Sequence, residues 1–518
     1  MEKRVRGLYP LWLWLVLALM ALNMAAFVLV QEPRPGVADQ GDFDRVMNVS
    51  GLELPAENKA DASFVRFLDY PVTDYHIVAA GPVDLLSRLK ATSISYLITP
   101  ISLVCQIIGQ DLFKTSYLAV VYLTLYLLAI FVIARYLDPG NPFKLAGLAL
   151  IALPVLLDGN YLVWFNSLYG EPMMIISLML YIAAWVYYIY LRYGEEAPGT
   201  GFIEILLIMA AAHLFLGSKM QVISAWPVIL LMLVLLIRAD WKRLTRPQAV
   251  IVLILLGVVT CYPIQINISN RSIGELTKYN SVFYGILKDS PAPEADLIDM
   301  GLNPDMAAEA GKHAFQPASD YSVYHPTAPI TRQEFYRQVS NLDLIEFYIT
   351  HPARLLRGMQ YTAGQAFTTA TWMGKYSRAY SPVPVREFDR LTGWSQLRQQ
   401  MPHNLFFIAL VFLGVMTVSL RVYRQNRGRA GVQARIALLW AVMAIGLLQF
   451  PMPFVGNGYA DTAKQLFLFN FIFDLLIVNA VGWSLNHVLE WVLSRQDGWL
   501  ARRLAYAAKP DLAETSPE

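Results

Sequence analysis

The stretch LWLWLVLALMALNMAAFVLV, Leu11 to Val30, decides the fold. It carries no charge, and about 20 apolar residues are enough for a helix to cross a bilayer. It lacks a small-residue cleavage site, and its apolar core is longer than that of a signal peptide. It therefore reads as a retained membrane anchor. Just beyond it stands Gly41-Asp42-Phe43-Asp44-Arg45, which puts two carboxylates at the start of the first loop.

Composition agrees with the anchor. Of 518 residues, 56% are hydrophobic and 13% aromatic, against ~45–50% apolar in soluble domains. The chain reads as an all-α polytopic membrane protein. A net charge of +2 is too small to suggest nucleic acid as a partner. Cys105 and Cys261 both lie in apolar runs and read as buried small residues, not as a disulfide or a metal site.

Charge then sets the topology. Lys3, Arg4 and Arg6 precede the anchor and mark a cytoplasmic N-terminus. Nine further apolar segments follow: Tyr117–Ala134, Leu145–Leu157, Met173–Tyr190, Phe202–Leu216, Val222–Ile237, Ala249–Cys261, Leu405–Leu420, Ile436–Pro451 and Leu466–Val488. If Thr92–Ile108, which Pro100 interrupts, only enters the membrane, the inner loops hold Arg135, Lys144, Arg192, Arg238, Lys242, Arg243, Arg246 and the cluster Arg421 to Arg435. The short outer loops then keep only Lys219 and Lys464. This arrangement predicts about ten spans with both termini cytoplasmic.

The chain divides accordingly. Residues 1–30 hold the N-terminus and first span, and 31–116 the first outer loop with its acidic motif and interfacial helices. Residues 117–266 form a helix bundle, 267–403 a large outer loop with helices of its own, 404–490 the last spans and 491–518 a cytoplasmic tail. A structureless loop as long as 267–403 is uncommon. Helical spacing over Arg332–Met359, broken at Pro352, supports helices there.

The polar residues that call for chemistry gather at one membrane face. In extended backbone, Asp42 and Asp44 point the same way, so both could reach one hydroxyl or one metal. A solvated acidic loop paired with Arg45 is the plain alternative. Asp461 fits a helix N-cap. Lys464 then falls in the first turn of the last span and opposes its dipole, unless an anion binds there or the side chain snorkels to the interface. Lys219, at the C-terminal end of its span, is favourable without a ligand. Glu171, before Pro172, fits an ordinary helix start. His213 reads as an interior histidine, and Glu204, His213 and Asp474 are the few ionisable groups within spans. Transporters place such groups near the midplane. An enzyme acting on a lipid headgroup places them at the interface.

With these residues in hand, the chain resembles the GT-C superfamily of integral-membrane glycosyltransferases, and most closely the bacterial cell-surface (S-layer type) glycan hexose transferases called WsfD-like. The resemblance rests on Gly41-Asp42-Phe43-Asp44 after the first span, Tyr169-Gly170-Glu171-Pro172, Gly217-Ser218-Lys219-Met220-Gln221, Asn280 to Lys288 and Asp461 to Asn470. It implies transfer of a hexose, with inversion, from a polyprenyl-phosphate donor to a cell-envelope glycan acceptor outside the bacterial cytoplasmic membrane. It also implies Asp42, then Asp44, as the catalytic base, Lys464 and Lys219 on the donor phosphate, and Tyr169, Glu171, Gln221 and Asp461 on substrate. No residue is assigned to a metal, although some members of the superfamily use a divalent ion. The chain lacks the oligosaccharyltransferase-type Trp-Trp-Asp motif, which argues against transfer to protein asparagine. A flippase or transporter for lipid-linked glycans, a glycan polymerase or ligase, and a non-catalytic scaffold are the rival readings.

Overall fold

Ten apolar helices carry the chain: α1 (Leu11–Leu29), α2 (Thr115–Leu137), α3 (Pro142–Leu156), α4 (Glu171–Tyr193), α5 (Phe202–Leu216), α6 (Trp226–Asp240), α7 (Arg246–Ser269), α8 (Leu405–Gln425), α9 (Ala430–Gln449) and α10 (Phe467–Ala507). The computed structural model describes residues 11–56, 58, 64–78, 91–137, 142–194, 201–369 and 371–507. Lys3, Arg4, Arg6 and Lys509, on which part of the charge argument rests, lie outside these.

The expected ten spans resolve differently. Among the described residues, eight helices are long and apolar enough to cross a membrane, or nine if one bent pair counts as a span. That pair is α3 with the turns of Gly159–Asn166, bent by 49°. The bend has a polar cause: the Asp158 carboxylate accepts from the Asn160 and Ser395 amides, each at 2.9 Å, and so turns the chain. The other short helix is α5, whose 15 residues reach about 22 Å at ~1.5 Å per residue, short of a hydrocarbon core of ~30 Å. It stops at Gly217, where the Tyr262 ring of α7 fills the space a Cβ would need. Ser95–Ile107 is shorter still, at 13 residues around Pro100. Its lead-in is tied to the end of α5 through Ser93, whose amide and hydroxyl donate to the Gly217 and Leu214 carbonyls.

α4 is the most enclosed of the spanning helices. It is apolar on all faces, as a central helix must be. α2, α5 and α9 pack around it, α3 lies on α10, and α7 lies on α5. The first residue of α4 is Glu171, so the best-fixed helix carries a carboxylate at its tip.

Two features of the segments between the apolar helices were not expected. The first loop contains a small antiparallel sheet of β1 (Leu52–Glu53), β2 (Asp74–Ile77) and β3 (Leu112–Lys114), with Leu52 opposite Ile77 and Tyr75 opposite Phe113. The 267–403 segment is helical as expected, with a break at Pro352 between Asn341–Thr350 and Pro352–Gln365, and a core around Tyr279, Phe283, Phe335 and Phe347. It is also locked to the bundle. Arg398 donates to Asp474 of α10 at 2.5 Å, both side chains fully buried, and Tyr161 donates to the same carboxylate at 2.6 Å. Asp474 is thus a buried ion-pair partner, and removing one member of such a pair typically costs ~3–5 kcal/mol. His213 is interior, stacked on the rings of Tyr262 and Tyr96. Cys105 is buried, but Cys261 is exposed on α7, contrary to expectation. An apolar run marks a membrane helix without saying which of its faces meets lipid.

Candidate functional site

Asp39, which sequence reasoning passed over, sets up the acidic motif. Its Oδ1 accepts from the Gly41 amide at 2.7 Å and the Phe43 amide at 3.2 Å, and so starts the helix Phe43–Ser50. Gly41 has φ +107°, a conformation side chains resist. Phe43 is buried edge-on against Tyr169, with centroids 4.6 Å apart. Asp42 and Asp44 are therefore in helical backbone. Two residues there turn by about 200°, so the pair diverges. Asp42 pairs with Lys464 and Arg45, and Asp44 turns to Arg66. The expected convergence on one hydroxyl or one metal is corrected. Among the described residues no group of three His, Cys, Asp or Glu side chains is placed to hold a metal ion.

Lys464 arrives from the far end of the chain. It lies in the single turn Thr462–Gln465 ahead of α10, not in the first turn of the span, so the dipole argument lapses. It does not snorkel either. Its ammonium is buried and donates to Asp42 Oδ2 at 2.5 Å and Gln40 Oε1 at 2.9 Å, with Asp461 Oδ2 at 3.7 Å. The Tyr169 ring lies beneath it, centroid 4.6 Å away. Tyr169 is held in turn. Its hydroxyl donates to the Ala38 carbonyl, accepts from the Gln40 amide and lies 2.9 Å from Met373 Sδ.

Glu171 and Lys219 form a second pair beside the first. Their approach depends on Gly170, where a Cβ would stand 2.8 Å from the Ser218 carbonyl oxygen. Glu171 starts α4 as expected, yet it is fully buried and only Oε1 is paired; Oε2 has no partner. A buried carboxylate oxygen left without a hydrogen bond is costly, and a ligand hydroxyl is one way to satisfy it. Lys219 lies past the end of α5, leading the turn Met220–Ala225. Asp461 makes no capping hydrogen bond and has φ +54°, so its N-cap reading is also corrected. Gln221 stands back from the pair. It donates to Gln449 Oε1 and the Gln465 carbonyl, fixing the lysine-bearing turn.

The electrostatics follow. Burial alone would raise the Asp42 carboxyl, but Lys464, Lys219 and Arg45 outweigh it and hold the group well below the usual carboxylate range. Burial disfavours charge on Lys464, yet Asp42 and Asp461 keep it firmly protonated. Burial pushes Asp461 upward against both lysines, and it pushes Asp39 upward against its amide donors and Arg66.

The structure thus brings Asp42, Lys464, Tyr169 and Asp461 together, with Glu171 and Lys219 alongside, and leaves Asp44 and Gln221 outside. Gln40, Asp39 and Met373 were missed. Gln40 and Asp39 adjoin the acidic motif, which was the only signal available for them.

These features define a multi-pass, all-helical membrane protein with a polar site at one rim of its bundle. The chain belongs to the YfdI N-terminal transmembrane domain family, which it matches over residues 2–502. No curated protein and no solved structure matches it.

Proposed function

We propose that the chain is a GT-C-type glycosyltransferase that moves a hexose from a polyprenyl-phosphate donor to a cell-envelope glycan on the outer face of the cytoplasmic membrane. The observation that supports this best is the Asp42–Lys464 pair, which joins residues 422 apart at the end of the bundle. It sets a carboxylate against an ammonium where a lipid-borne phosphate would meet water.

In this reading Lys464 and Lys219 bind the donor phosphate and stabilise the charge it gains as the glycosidic bond breaks. Asp42 takes the proton from the acceptor hydroxyl. An aspartate held so strongly by Lys464 is a poor base. A phosphate that draws Lys464 toward itself releases the carboxylate, so donor binding itself prepares the base. Glu171 Oε2 is free to accept from a sugar hydroxyl, Tyr169 and Asp461 frame the lysine, and Asp44 and Gln221 hold the surrounding loops.

The test uses purified protein in lipid nanodiscs with polyprenyl-phosphate hexose and envelope glycan. Asp42→Asn should abolish most transfer while donor lipid still binds. A fully active Asp42→Asn variant removes the proposed base. A wild type that transfers no sugar from any such donor removes the proposed function.

A further inference from the structure

An exposed aromatic surface adjoins this site, with the Arg66 guanidinium over the Phe67 ring, 4.7 Å from its centroid. Trp372 is 81% exposed and Phe67 44%. Each is one residue from a group that touches the site floor. Met373 reaches Tyr169, which lies under Lys464. Arg66 pairs with Asp44 and lies 3.6 Å from Asp39 Oδ2, and Phe67 itself bridges Asp39 through its backbone.

The two loops form one rigid lip. Leu68 has φ +68°, a strained conformation for a non-glycine residue. It is held from both sides: its amide donates to the Asp39 carbonyl at 2.8 Å, and its carbonyl accepts from the Gly374 amide at 2.7 Å. Gly374 lies so close to the Asp69 carbonyl that no Cβ fits. Arg386 clasps both loops, donating to Asp69 Oδ1 at 2.7 Å and to the Trp372 carbonyl.

We propose that this lip is the acceptor subsite, where Trp372 and Phe67 stack on the C–H face of a sugar ring of the acceptor glycan. The assignment rests on the glycosyltransferase reading above. Asp44, Arg66, Asp69 and Arg386 surround the rings with donors and acceptors for hydroxyl groups. A hexose offers both an apolar face and a rim of hydroxyls, and so matches the surface. Bilayer hydrocarbon would cover the rings but strip water from the part-exposed Asp44–Arg66 and Asp69–Arg386 pairs, at a desolvation cost. The rigidity of the lip limits the entropy lost on binding.

The test compares wild type, Trp372→Ala and Trp372→Phe in nanodiscs. Trp372→Ala should raise the acceptor KM by about tenfold or more, with donor KM and the slow hydrolysis of donor by water within about twofold of wild type. Trp372→Phe should recover most of the loss. Binding without turnover is read by saturation-transfer NMR with glucose, galactose and mannose trisaccharides: wild type should bind at least one and Trp372→Ala none. Intact transfer with an unchanged acceptor KM overturns the subsite and leaves the glycosyltransferase standing. Absent transfer, with trisaccharide binding still lost in Trp372→Ala, overturns the glycosyltransferase and leaves a carbohydrate subsite. If wild type binds no trisaccharide, or if a cysteine at position 372 is shielded from an impermeant maleimide in intact cells while one at 308 reacts, the subsite is overturned.

Discussion

Lys464→Met keeps the apolar stem of the side chain and removes its charge, so it isolates what the ammonium does. In the folded protein that ammonium makes two hydrogen bonds, at 2.5 Å to Asp42 and 2.9 Å to Gln40. A hydrogen bond to a charged group contributes ~1.5–3 kcal/mol. If the donor phosphate inherits that interaction, kcat/KM for donor should fall by roughly 10- to 150-fold. Stability should fall as well, by about 1–3 kcal/mol, less than for a fully buried pair because Asp42 keeps Arg45 and is 30% exposed. The pH dependence separates this from a packing defect. The folded carboxyl of Asp42 lies below its unfolded value. It therefore adds stability above the ordinary aspartate pKa of ~3.9, and that increment is lost as pH falls through the folded value. The melting-temperature gap between wild type and Lys464→Met should be full at pH 7 and should narrow below about pH 4. Thermal unfolding in detergent and donor kinetics at fixed acceptor measure both. A gap that stays constant with pH, together with unchanged donor kinetics, would refute the reasoning.

Other outcomes follow from the same geometry. Asp42→Asn should lower transfer by ~10²–10⁴-fold with donor binding retained, read by sugar transfer and by donor-lipid pull-down. Asp44→Asn should cost only a few-fold, about 0.5–1 kcal/mol for an exposed pair, because its partner is Arg66 and it faces away from Lys464; a dead Asp44→Asn variant would reverse the order of the two. Gly170→Ala should destabilise by ~1–3 kcal/mol by pressing on the Ser218 carbonyl, and denaturation should show it. Cysteine at Ala308 should react with an impermeant maleimide in intact cells and cysteine at Gly428 should not; reversed labelling would put the site on the wrong side of the membrane.

Much of the membrane domain was legible because each apolar segment announces its own helix. The span count, not the boundaries, differed: Phe202–Leu216 has the bounds read from the sequence but is short for a crossing, and Asp158 bends the chain after α3. The little sheet was illegible, since strands of two to four residues carry no alternation to read and depend on partners up to 40 residues away. The site was legible as a set of residue types and not as a set of contacts. Asp42 and Lys464 each looked unusual alone, but nothing local pairs them. Asp44 was misread because the capping carboxylate is Asp39, which turns the motif helical. The tie between Arg398 and Asp474 was hidden for the same reason of distance.

The 422-residue separation of Asp42 and Lys464 also has a consequence for biogenesis. At ~5–20 residues per second, a ribosome needs roughly 20 to 85 s to reach the lysine after the aspartate has emerged. Until then Asp42, Asp39 and Asp44 face Arg45 and Arg66 without the Lys464 ammonium. A nascent chain therefore holds its acidic motif at the membrane for many seconds without the group that completes the site. Any chain cut short before Lys464 lacks the Asp42–Lys464 pair. Two fragments divided within 267–403 and expressed together should regain a working centre only when α10 docks beside α3 and α4, so complementation between halves would report late assembly directly.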